Sequence, residues 1–237
     1  MIIVKITEQQ LFDYIHCPAL FEMKYIRKIP LEESLSTPKL LNKVAKYFYL
    51  NLLNGKICTT SELKKKWDSI CAKHEEQINP KKVMEGMSLI MKLYNWASDE
   101  QAVVLDIDSP YIIRVGDVEL VGNMGTILAA PNNKYELLIT DFSSRLPDQS
   151  LIDIKLKYTL EAYAFQKVYN KFIDGVRVHS VKYNKDFYTS RTDGDFKRLE
   201  TAIRNVGKSI QDGLFYPREG MCSTCPAKGY CKYWFYD

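Results

Sequence analysis

Leu120-Val121-Gly122-Asn123-Met124-Gly125-Thr126-Ile127 and Leu138-Ile139-Thr140-Asp141-Phe142-Ser143-Ser144 are the stretches whose reading decides the fold. They lie in a segment, about 102 to 141, where β-branched and polar residues alternate, as in Tyr111-Ile112-Ile113-Arg114-Val115 and Val118-Glu119-Leu120-Val121. A two-residue period turns one side of each run towards a core and the other towards water. Val115-Gly116-Asp117 and Pro131-Asn132-Asn133 carry turn chemistry, so the segment predicts a three-stranded antiparallel meander.

Helical signals surround it. Thr7-Glu8-Gln9-Gln10 has the form of a capping box and opens a helix with Leu11, Tyr14 and Ile15 on one face. Cys17-Pro18 interrupts that helix, because proline removes a donor and disfavours helix in the residue before it. A short helix over 19–27 and a proline-bounded loop over 29–38 follow. Further helices are predicted over 39–53, from Thr59 or Thr60 through Lys64-Lys65-Lys66, and from Asn79-Pro80 to Ala97. A long helix from Leu151 to Phe172, a strand over Val176–Tyr183 and a helix from Thr192 to Ile210 complete the order. That succession is an α/β core with a helical lobe ahead of it.

The chain has 237 residues, 46% hydrophobic and 26% charged, as expected of a globular protein with a sizeable core. A formal charge of +4 permits a nucleic-acid partner without demanding one. No apolar run approaches the roughly 18–20 residues that cross a bilayer, and MIIVKITEQQ is no signal peptide. The expectation is a cytoplasmic protein with no membrane partner, in a compartment where six cysteines serve as metal ligands or free thiols.

Cys222-Ser223-Thr224-Cys225 followed by Cys231, in a loop with Gly and Pro, suits a tetrathiolate metal site lacking one ligand. Cys17, at a helix break, is the best fourth candidate, whereas Cys58 and Cys71 read as small buried hydrophobes or free thiols. Spacing leaves zinc and an iron–sulfur cluster both open. Either would staple the N-terminal helix to the C-terminus.

Three stretches together resemble the RecB-type branch of the PD-(D/E)XK nuclease superfamily, which includes the CRISPR-associated adaptation nucleases and the AddB nuclease domain. The first runs from Ile6 through Leu11, Tyr14, Cys17 and Pro18 to Phe21. The second is the opening pair of stretches, sitting where the family carries G-x-x-D and D/E-x-K. The third is Phe215-Tyr216-Pro217 with Cys222, Cys225 and Cys231. The resemblance implies a central mixed sheet flanked by helices, a [4Fe–4S] cluster on Cys17, Cys222, Cys225 and Cys231, and an ancestral DNA substrate, often single-stranded or end-containing. It implies a single nuclease-like domain over 1–237, with a helical lobe at about 38–99, a core at 100–212, and an iron–sulfur staple from 1–37 and 213–237.

The family's chemistry needs two acidic groups to hold Mg²⁺ or Mn²⁺ and a lysine to offset developing charge. The first aspartate position falls on Gly125, the second is retained as Asp141, and the lysine falls on Ser143. The glutamine expected four residues before a tyrosine falls on Thr159, ahead of Tyr163. The family often places a metal-ligating histidine on an early helix, but His16, His74 and His179 all lie outside 39–53. The expectation is a cluster-containing protein that has lost catalysis and binds DNA, or docks on a DNA-processing complex, with Arg145, Lys155 and Lys157 on phosphates. Two alternatives stand beside it. One is an active Mg²⁺- or Mn²⁺-dependent single-stranded DNA exonuclease with relocated residues. The other is an interaction scaffold or inhibitor without nucleic acid. The lysines at 64–66, 73, 81 and 82, balanced by Glu62, Asp68, Glu75 and Glu76, read as a solvated helix face. Tyr230, Tyr233, Trp234, Phe235 and Tyr236 read as packing around the cluster.

Overall fold

In this computed structural model residues 3–31, 36–74, 78–99, 103–130 and 134–233 are described. Glu75, Glu76, the Pro131-Asn132-Asn133 turn and residues 234–236 lie outside them. In chain order come β1 (Val4–Thr7), α1 (Glu8–His16), α2 (Pro18–Phe21), α3 (Thr37–Leu53), α4 (Thr60–Ala72) and α5 (Pro80–Asp99). The strands β2 (Val104–Ile107), β3 (Pro110–Val115), β4 (Val118–Asn123), β5 (Thr126–Ala130) and β6 (Lys134–Asp141) follow. The chain continues with α6 (Gln149–Ile154), α7 (Leu156–Tyr169), β7 (Gly175–Ser180), β8 (Lys185–Thr189) and α8 (Asp193–Gln211). It divides into two units, one of Met1–Ser34, Pro110–Gly122 and Gly194–Asp237, the other of Leu35–Ser109 and Asn123–Asp193.

The first unit holds a three-stranded sheet in the order β1-β4-β3, with β1 parallel to β4. Thr7 closes the capping box of α1: its hydroxyl accepts from Gln10 N (3.2 Å) while Gln10 Oε1 accepts from Thr7 N (2.7 Å). Cys17 breaks that helix in an extended conformation, and Pro18 starts α2. Backbone groups near this break are tied to the C-terminal tail. Tyr14 donates its hydroxyl to Leu214 O (2.6 Å), Ala19 N–H donates to Tyr216 O (3.0 Å), and Arg218 donates to Ile15 O.

The second unit holds a five-stranded sheet in the order β2-β5-β6-β7-β8. Only β6 and β7 pair in parallel, so the sheet is mixed, as the resemblance implies. Thr59 and Glu62 form the second capping box, at α4, and Asn79 Oδ1 accepts from Lys82 N (2.9 Å) at the start of α5. Leu40, Val44, Phe48, Leu63, Trp67, Ile90 and Leu93 from the helices bury against Leu128, Leu138 and Val181 of the sheet layer. Among the described residues no helix is long and apolar enough to cross a membrane.

Two local expectations need correction. The segment 102–141 is not one three-stranded meander: β3 and β4 pair in the first sheet, and β2, β5 and β6 in the second. Alternation reports that a strand has a buried side, not which sheet buries it, and the chain changes sheets between Asn123 and Thr126. The helix expected over 151–172 is two helices broken at Lys155, whose φ −64° and ψ 109° are extended. Arg191 holds the break from outside, donating to Ile152 O (3.0 Å) and approaching Lys155 O (3.5 Å). Two further strands, β1 and β8, escaped the sequence reading.

Gly86 sets the spacing between α4 and α5. A Cβ there would lie 2.3 Å from Cζ2 of Trp67, a fully buried ring whose Nε1–H donates to Val83 O (3.0 Å). Gly86→Ala should therefore destabilise the protein by about 1–3 kcal/mol through overpacking, despite alanine's better helix propensity. Thermal melting would check this, and a raised Tm would show that the ring can move aside.

Candidate functional site

A cleft of 490 Å³ opens within the second unit, lined by α3, the start of β5, the end of β6 and the first turns of α7. From α3 come Asn42, Ala45, Lys46 and Tyr49, residues that share one helical face by their three- and four-residue spacing. Lys46 is ion-paired with Asp108. Tyr49 lies with its hydroxyl 3.2 Å from Thr140 Oγ1, and burial pushes its phenol above the ordinary tyrosine range. Gly125, Thr126, Thr140, Asp141, Lys155, Lys157, Tyr158 and Glu161 complete the part that matters chemically.

At the end of β6, Asp141 is held by the residue in the lysine position. Ser143 N–H donates to Asp141 Oδ1 (3.1 Å), and Ser143 Oγ lies 2.7 Å from Oδ2. That hydroxyl is also 2.9 Å from Arg145 O, so its one proton serves one acceptor at a time.

The residue that sequence reasoning missed is Glu161. Its carboxylate is almost wholly buried; Oε2 accepts from Gly125 N–H (2.9 Å), and Oε1 lies 3.8 Å from Lys157 Nζ. A Cβ on Gly125 would stand 2.5 Å from Oε2, so Glu161 fills the space a side chain at 125 would need. A signal was present: Glu161 is four residues after Lys157, a favourable helical pairing distance, inside the otherwise uncharged buried run Thr159–Phe165. Tyr158 reports that both carboxylates converge. Its phenol is pushed up to about 12, first by burial and then by Asp141 and Glu161, with Arg191 opposing.

The other sequence candidates separate. Gly125, Asp141, Lys155 and Lys157 meet in the cleft. Thr159 does not: it is fully buried, with its hydroxyl 3.4 Å from Lys155 O. Arg145 is exposed on the connection after β6 and is not among the cleft-lining residues. Glu119 lies in the first unit, paired with Lys5 at 3.0 Å. His179 is fully buried, stacked on Trp96 at 3.9 Å with Nδ1 2.7 Å from Asp186 Oδ1, and serves the core.

The Mg²⁺ or Mn²⁺ that the resemblance implies fits these residues poorly. Each oxygen of Asp141 faces a Ser143 donor, and those of Glu161 face a backbone N–H and an ammonium. A dication at Glu161 would have to displace Lys157.

In the first unit, Cys17 and Cys231 are buried with Ala19, Leu20, Met23 and Ala227, and Cys225 packs on that cluster. Cys17, Cys222 and Cys225 line one small pocket. The Cys225 thiol is pushed up by burial first, against a backbone hydrogen bond at Ala227, and further by Cys17, Cys231 and Cys222, so each of these three lies within electrostatic reach of Cys225. Such a set fits a group that holds thiolates together by supplying positive charge. Among the described residues no three His, Cys, Asp or Glu side chains stand in an arrangement that could hold a metal ion. Cys58 and Cys71 lie in the second unit's core, and burial raises both thiols.

Among curated proteins none matches this chain. A solved structure from Eubacterium rectale, provisionally named an exonuclease, superposes at a TM-score of 0.59 with 9% identity, over 95% of this chain and 87% of its own. At that identity the likeness is one of fold. The structure of SSO0001 aligns over 97% of both chains at 12% identity, but its TM-score of 0.40 is too low to bear on the fold. The sequence profile of the PD-(D/E)XK nuclease superfamily matches residues 5–232. With nearly the whole chain inside that match, and with its mixed sheet and flanking helices, the protein belongs to the PD-(D/E)XK nuclease superfamily.

Proposed function

We propose that this protein binds nucleic-acid phosphates at the cleft without cutting them. The observation that carries this reading is the N-terminus of α7, which opens on the cleft with no side-chain cap, with Lys155 at the cap position and Lys157 in the first turn. Uncapped N–H groups beside two ammonium groups make an anion site, and phosphate binding needs nothing more. Cleavage needs a metal and a cation at the scissile bond, and Ser143 carries no charge. The resemblance to RecB-type nucleases favours DNA, single-stranded or end-containing, handled alone or within a DNA-processing complex in the cytoplasm. Three lysines in the cleft (46, 155 and 157) face three acids (108, 141 and 161), so affinity is modest and sensitive to salt.

A second reading, a metal-dependent exonuclease with relocated residues, draws on the place of Glu161 beside Gly125. In that reading Asp141 and Glu161 would hold the ion and Lys157 would offset charge on the phosphate. The scaffold reading has no observation of its own.

Cys17, Cys222, Cys225 and Cys231 are proposed as ligands of the [4Fe–4S] cluster that the resemblance implies, with zinc as the alternative. The support is the pocket that Cys17, Cys222 and Cys225 line and the cluster in which Cys17, Cys225 and Cys231 pack. Either group would act as a structural tie between the first helices and the tail.

Single-stranded DNA should bind at low salt, and Lys155→Ala/Lys157→Ala should weaken it about equally across sequences. For each phosphate that the variant no longer neutralises, the log–log salt slope should flatten by roughly 0.7–0.9, with Arg145→Ala having the smaller effect. No binding at low salt would leave the scaffold reading in place. Cleavage with Mn²⁺ that disappears in Asp141→Ala and Glu161→Gln would establish the exonuclease instead.

Anaerobically purified protein should contain iron and absorb broadly near about 400 nm, as thiolate-bound iron–sulfur clusters do. Cys17→Ser should lose both signals, and Cys58→Ala and Cys71→Ala should keep them. Stoichiometric zinc in a colourless protein would retain the site and replace the group. Equal iron content in all three variants would refute the ligand set.

A further inference from the structure

We infer that Lys157 has taken over the charge role that a divalent metal plays in this fold, which leaves the cleft independent of metal. Gly125 offers no side chain, and its backbone stands so close to Glu161 that a side chain at 125 would have to push the carboxylate aside: a Cβ would meet Oε2 at 2.5 Å and Leu137 Cδ1 at 3.1 Å. The acid at this point of the floor therefore comes from α7. A carboxylate this deeply buried is tolerated only when paired and hydrogen-bonded. Gly125 N–H supplies the hydrogen bond at 2.9 Å, and the ammonium of Lys157, one helical turn earlier, supplies the charge at 3.8 Å.

Lys157 is half-exposed, so its ammonium approaches from the cleft side, the direction from which an ion would enter. A dication there would meet a fixed positive charge within about 4 Å, and like charges at that range raise the cost of binding steeply. Asp141 would take an ion only in competition with the Ser143 N–H and hydroxyl, which face its oxygens. The loss of the side chain at 125, the gain of Glu161 and the choice of lysine at 157 are thus one coupled change. This inference concerns charge at the floor of the cleft and stands whether or not nucleic acid binds there.

Manganese itself is the probe, titrated into holoprotein and followed by calorimetry and by the loss of the free-ion electron paramagnetic resonance signal. Wild-type protein should show no site that Glu161→Gln removes. Lys157→Met, which keeps the aliphatic stem, should gain one site at least about tenfold tighter than any in wild type, the scale on which one opposite charge alters a carboxylate. Adding Glu161→Gln to it should abolish that site. Because the change leaves Glu161 buried without its ammonium, the melt of Lys157→Met is recorded alongside, and Lys157→Gln, which keeps a donor near the carboxylate, is a second variant expected to gain the same site. A wild-type Mn²⁺ site lost in Glu161→Gln would overturn the proposal, as would a folded Lys157→Met that gains none. Failure of DNA binding in wild type would remove the phosphate reading and leave this result untouched.

Discussion

A carboxylate buried at the floor of the cleft governs how the second unit is arranged around it. Left alone in a low-dielectric interior, an ionised Glu161 would cost several kcal/mol. It is retained because the backbone N–H of Gly125 and the ammonium of Lys157 face it. Each partner then constrains something else. Residue 125 must lack a side chain, and α7 must begin early enough to carry Lys157 one turn ahead of Glu161. Residues 157, 158 and 161 then face the cleft while 159 and 160 face the core.

The start of α7 depends in turn on the break at Lys155. A continuous helix over α6 and α7 would spend the first N–H groups of α7 on carbonyls of the preceding turn. The extended conformation of Lys155 withholds them, and Arg191 stabilises that conformation by taking the carbonyls of Ile152 and Lys155. Gln149 adds a second tie, donating to Tyr188 O at 2.9 Å, so α6 is anchored to β8. The same break that frees the N–H groups sets Lys155 and Lys157 at the rim. Positive charge and backbone donors therefore arrive at one place by one cause.

What the sequence made legible was local. Both capping boxes and the Asn79-Pro80 start could be read because their partners lie three residues apart. Cys222, Cys225 and Cys231 stood out by their tight spacing and Cys17 by its helix break, and Cys17, Cys225 and Cys231 pack together in the first unit. Illegible features had determinants far along the chain. Arg191 acts on carbonyls 36 to 39 residues upstream, and nothing near Lys155 announces a break. Glu161 meets a backbone N–H 36 residues earlier, so aligning motifs could find the missing aspartate at 125 but not the carboxylate beside it. Alternation was equally blind to the change of sheet after Asn123, because it reports only that a strand has a buried side, and strands of both sheets do.

The carboxylates of the cleft differ in how their neighbours satisfy them. Asp141 ends a strand, where the following Ser143 lies within reach to satisfy it through a local turn. An acid at 125 would have had no such neighbour; the groups nearest to it are Leu137 and the helix that carries Glu161. Glu161, carried on a helix, has such a neighbour, since a helix places Lys157 one turn away. The ammonium then sits beside the N-terminus of α7, where the helix dipole disfavours it. That placement is tolerable because the buried carboxylate outweighs the dipole, and it keeps the mouth of the cleft attractive to anions.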